Sequence, residues 1–296
     1  MDPSALVGVN PRNLELYAGL DSLDDPDLIF ENAEKIADVY GSDPVFGYLY
    51  GHARTPVLAD VWMRQASVAT GLAFLLDDFF GNKPPPRLET MFDPAALARA
   101  ARTMSSPRGV LVLSFHGGFA ALVRHFFHRF VDDSLIIDAK TRSKFRSLGA
   151  NNPGAALFGA IRALGDGHSV FVAPDGMLGR LAGQIEVLGA NCPVTDSAPF
   201  LAYETGCDTV WHIMHRRGRL FVPVAEPGPR RAPGETFAEF RLRLMGFYRD
   251  KIEDHFTGDP QNLALSKRWR WLLKQAMRKN PGVRGQSGQG EGWSKP

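Results

Sequence analysis

Cysteine is nearly absent: Cys192 and Cys207 are the only two in 296 residues. They are too few and too far apart for a disulfide framework or a zinc site, so a reducing, cytoplasmic setting is expected. A large excess of charge of one sign is missing too. A net charge of +2 gives no electrostatic pull toward nucleic acid. No run reaches the ~18 uninterrupted apolar residues of a transmembrane helix. The densest stretch, Val68 to Leu76, is short and runs into Asp77-Asp78. Met1-Asp2-Pro3-Ser4 lacks the cationic start and apolar run of a secretory signal. There is no internal repeat. His125 and His128 share a helical face, but no H-E-x-x-H accompanies them. Neither a metal nor an organic cofactor is expected.

What is present is an ordinary core. Apolar residues make up 44% of the chain and charged residues 22%, enough for one large domain or a main domain with a smaller one. Residues 12 to about 80 read as helical, with Pro26 opening one helix behind Asp25 and Thr55-Pro56 opening another. Asn82-Lys83-Pro84-Pro85-Pro86 is a stiff linker. From Asp93-Pro94 onward, short apolar strands near 109–114, 134–138, 170–173, 209–213 and 220–224 alternate with helices. That alternation predicts an α/β fold: a mostly parallel central sheet flanked by helices. Three regions result: a helical amino-terminal region over 1–92, an α/β domain over 93–280 and a disordered tail over 281–296.

The most informative segment runs from Gly109 to Phe119. Val110-Leu111-Val112-Leu113 has the composition of a strand buried on both faces. It stops at Ser114, and His116-Gly117-Gly118 then leads into a helix. His116 is thereby lifted to the carboxyl end of a strand, where open α/β sheets keep their ligands. A neutral imidazole there can act as a general base. The backbone N–H groups of Gly117 and Gly118 are candidate oxyanion donors. Ser114 and Phe119, at the two ends of the turn, are assigned to the substrate side.

A second strand ends in Pro174-Asp175-Gly176. Asp175 and Asp138 each follow a strand and could orient His116, although either could instead cap a turn; Asp175 is preferred. Arg180 follows at a spacing suited to an anionic head group or a pantetheine phosphate. His212 and His215 lie near a strand end, where structural roles are the first expectation; of the two, His212 is the candidate for a pocket wall. Lys267-Arg268-Trp269-Arg270-Trp271 reads as a packed, solvated terminal helix, with contact to an anionic carrier protein or a membrane surface as the alternative.

Taken in order over roughly residues 105 to 272, these blocks resemble the lysophospholipid acyltransferase superfamily, and within it the lipid A late acyltransferase (lauroyl/myristoyl transferase) branch. The family's His-Phe-Gly-Asn-Trp-Glu block is matched by His116-Gly117-Gly118-Phe119-Ala120-Ala121. Its helix, turn, apolar strand and Pro-Asp are matched by Ala160 to Asp175, and its tryptophan-rich finish by Lys267 to Trp271. The resemblance implies a glycerolipid acyltransferase-like fold. It also implies acyl transfer from a coenzyme A or acyl carrier protein thioester, with His116 as base. The family places the orienting carboxylate five residues after the histidine, and here that position is Ala121. Asp175 is expected to supply the missing acid. The family's amino-terminal membrane helix is not found, so a small-molecule or carrier-bound acceptor is expected rather than lipid A, with peripheral membrane contact still open. Two rivals remain: a binding protein that kept the cleft of a dead acyltransferase, and an esterase, which would need a G-x-S-x-G elbow that the chain lacks.

Overall fold

A computed structural model describes residues 26–40, 43–80, 88–137, 147–148, 153–176 and 181–279. The expectations placed on Asp138, on Arg180 and on the tail from 281 lie outside these residues. Three helices come first: α1 (Pro26–Tyr40), α2 (Pro44–Tyr50) and α3 (Ala59–Phe80). Asp43 caps α2 by accepting from the Val45 N–H at 3.1 Å, ahead of Pro44 at the first helical position. Helix α3 starts at Ala59, a turn later than Thr55-Pro56 suggests. Asp93 caps α4 (Pro94–Thr103) in the same way, accepting from Ala96 at 2.7 Å. Among the described residues no helix is long and apolar enough to cross a membrane.

The α/β part follows as β1 (Val110–Leu113), α5 (Ala120–Phe130), β2 (Ser134–Ile137), β3 (Ser147–Leu148), α6 (Pro153–Gly165) and β4 (Ser169–Val172). Next come β5 (Leu181–Val187), β6 (Ala190–Thr195), α7 (Ser197–Thr205), β7 (Asp208–Arg217), β8 (Leu220–Pro227), α8 (Phe237–Thr257) and α9 (Lys267–Lys279). The main sheet has the order β3-β2-β4-β1-β7-β8. Its pairings are parallel except for β8, which runs antiparallel to β7 at the edge. Pro223 is tolerated there because an edge strand has one unpaired side. Strands β5 and β6 form a separate antiparallel hairpin, which is not among the strands expected from the sequence.

Strand β1 is buried on both faces because its side chains alternate between two hydrophobic clusters. Leu111 and Leu113 join residues of α2, α7, α8 and α9 on one side. Val110 and Val112 join residues of α1, α3, α4 and α5 on the other. The amino-terminal helices therefore share a core with the sheet.

Strand register sets up the site. Leu113 pairs with Val172 of β4 on one side and with Trp211 of β7 on the other. His116 and Asp175 each lie three residues beyond the Leu113–Val172 pair. Two neighbouring parallel strands thus deliver them abreast at the carboxyl edge.

Candidate active site

Asp175 is completely buried. Its carboxylate accepts from the His116 backbone N–H at 2.9 and 3.1 Å, and its Oδ1 lies 3.1 Å from His116 Nδ1. Tyr248 of α8 donates its hydroxyl to Oδ1 at 2.9 Å, and Trp269 of α9 donates Nε1–H to Oδ2 at 2.9 Å. Four donors converge on one acceptor. A carboxylate has nothing to donate, so Nδ1 of His116 must carry its proton and the lone pair falls on Nε2. The His116 side chain is 44% exposed while that of Asp175 is sealed, which is the polarity of a base presented to a ligand and held from behind.

The charges agree with this arrangement. Burial raises the Asp175 carboxyl, but the hydrogen bonds and charge of His116, with help from Tyr248, outweigh it and hold the group below its usual value. Burial, then the Asp175 charge, push the Tyr248 hydroxyl well above its usual value, so it stays a donor. The same two effects lift the Cys192 thiol to about 12, and burial also raises Cys207. Neither cysteine is a thiolate nucleophile near neutral pH.

The turn between β1 and α5 explains its glycines. Phe115 points down into an aromatic floor made with Trp211, His255, Phe256 and Trp269. A Cβ on Gly117 would stand 2.1 Å from the Phe115 ring, and Gly118 has φ +58°. Gly176 lies under the imidazole, where a Cβ would come within 3.1 Å of His116 Cε1. The N–H groups of Gly117 and Gly118 have no hydrogen-bond partner among the described residues, and both glycines line a cleft of about 350 Å³. That cleft is walled by Ala73, Phe74 and Asp77 of α3 and by Leu265 to Arg268 leading into α9, with His116 on its floor.

Three residues assigned to substrate contact take other places, and this corrects the sequence reading. Ser114 is buried, and its carbonyl lies 3.0 Å from the Tyr248 hydroxyl. Phe119 is buried against Phe221 at a centroid distance of 5.3 Å. His212 is fully buried against Phe126, with Nδ1 2.8 Å from the Val224 carbonyl oxygen. None of them lines the cleft. Of the two outer supports of Asp175, Tyr248 does not stand out in the sequence and Trp269 does so only as part of a packed terminal helix, because each occupies a core position of a helix. Ala121 is also buried, on α5.

Fold and site together define an α/β protein with a His–Asp pair at the carboxyl edge of a parallel sheet. Comparison with protein-family models and with curated proteins finds no match for this chain.

Proposed function

We propose that this chain is an acyltransferase, moving an acyl group from a coenzyme A or carrier-protein thioester to a hydroxyl or amine. The reading follows the resemblance to the lysophospholipid acyltransferase superfamily, with Asp175 in the role left empty at Ala121. One observation carries it: the Asp175 carboxylate on His116 Nδ1 at 3.1 Å, which leaves Nε2 as the basic atom beside the cleft.

In the first step Nε2 takes the proton of the acceptor as its oxygen or nitrogen attacks the thioester carbonyl. The resulting oxyanion is met by the N–H groups of Gly117 and Gly118 at the amino end of α5. When the tetrahedral adduct collapses, the carbon–sulfur bond breaks and the departing sulfur recovers the proton from the imidazolium. Asp175 touches no reacting atom; it fixes the tautomer and steadies the cation.

The test is mass spectrometry of the wild-type chain and His116→Ala, each incubated with a panel of acyl thioesters and candidate acceptors. Loss of roughly 10²–10⁴ in rate is expected for the variant, the usual contribution of a general base. Full turnover by His116→Ala would end the proposal.

A further inference from the structure

Helix α9 has two faces of different character. Trp269, Leu272, Leu273 and Ala276 are buried. Lys267, Trp271, Lys274 and Arg278, spaced at intervals of four, three and four, line the opposite side. The helix contains no acidic residue. Asp43 engages Arg270 at 3.4 Å and Lys274 at 3.0 Å, and Arg268 donates to the Pro193 carbonyl at 3.1 Å. Lys267, Arg278 and Lys279 carry no ion pair among the described residues. In their midst the Trp271 indole is 60% exposed. Lys267 and Arg268, at the amino end of the helix, form part of the wall of the His116 cleft.

We propose that this outer face of α9 is the docking surface for an acidic carrier protein, which presents its thioester to the cleft at the helix's amino end. The inference rests on the thioester-transfer reading above and names the donor for it. Charge complementarity selects the partner: a cationic stripe compensated only at Lys274, by Asp43, attracts and orients an acidic protein. Tryptophan and arginine are the side chains that most often anchor such contacts. A bilayer fits less well. An interfacial helix sinks its apolar face among the lipids, whereas the apolar face of α9 is already committed to the core, leaving a single indole to insert. Geometry completes the case. Trp271 stands only about 6 Å along the axis from Lys267, so a carrier seated on it has its prosthetic arm at the mouth of the cleft.

The experiment uses the full chain and two exposed variants, Trp271→Ala and Arg278→Glu, checked for unchanged melting temperature. Binding is measured to an acidic holo-acyl carrier protein. Sedimentation is followed with vesicles of phosphatidylcholine alone and of an equimolar mixture with phosphatidylglycerol. Turnover is read with acyl-carrier and with acyl-coenzyme A donors. The expected result is carrier binding that weakens with salt and falls at least about tenfold in each variant, while turnover of the coenzyme A donor is unchanged and no vesicle sediments the chain. Carrier binding that is absent, or equal in wild type and variants, overturns the docking surface, as does Trp271-dependent sedimentation with anionic vesicles. His116→Ala separates the two ideas. If it abolishes coenzyme A turnover while the α9 variants behave as wild type, docking alone falls; if it turns over normally, the acyl-transfer reading itself falls.

Discussion

Asp175 sits at the base of the site with its charge removed from water, and it survives there because every lone pair that matters is used. The donors come from its own neighbour across the sheet and from two helices, 73 and 94 residues further along the chain. Replacing it with asparagine puts an amide N–H where a donor already points, so at least one buried donor loses its acceptor. Asp175→Asn is expected to lower kcat by about 10⁴ through the wrong imidazole tautomer, with KM little changed and a reduced melting temperature. Steady-state kinetics beside thermal unfolding will check this; unaltered kcat would mean that the carboxylate is only structural. His116 and Asp175 were legible in the sequence because each follows a short apolar strand and is flanked by glycine. Tyr248 and Trp269 were not, since a core-facing helical position looks the same whether the side chain fills space or donates to a distant acid. Ser114 and Phe119 illustrate the opposite error: they adjoin His116 in sequence but are buried in the core, away from the cleft.

At the scale of elements, the strand-to-helix turn is the least forgiving part of the molecule. The Phe115 ring cannot step aside for a Cβ on Gly117, because Trp211, Trp269 and Phe256 already pack around it. Gly117→Ala must therefore displace the turn and carry His116 with it. A misplacement of about 1 Å costs on the order of 10²-fold, and this variant should show a loss of that size in kcat/KM while its helix content by circular dichroism is kept. Most elements were readable from alternation and caps. The β5–β6 hairpin was not. Its turn uses Leu188 at φ 48° followed by Gly189 at φ 71°, where the recognisable signal is asparagine or aspartate before glycine. A leucine held in the left-handed region gives no warning in the sequence.

For the molecule as a whole, buried histidines set the acid limit. Burial lowers His212 to about 4. Burial, with a smaller effect from His215, lowers His255 to about 3. Both titrate near 6.5 when the chain is unfolded. As pH falls below that value the unfolded state takes up protons first, so the stability contributed by these neutral rings is complete above about pH 6.5 and is lost toward 4 and 3. The depressed Asp175 carboxyl acts with the same sign: its contribution is present above its unfolded value near 3.9 and vanishes as pH drops through the folded one. Melting temperature should therefore decline steadily from pH 7 to pH 4. Among the described residues neither ring nitrogen of His255 has a hydrogen-bond partner, so His255→Phe should show a shallower decline; an identical slope would remove His255 from the account. The placement of β4 beside β1, with β2 and β3 formed between them along the chain, has a consequence for refolding. The two halves of the acid–base pair meet only after that excursion has closed, so on dilution from denaturant any recovered turnover must trail the first helical signal and serves as a clock for completion of the sheet.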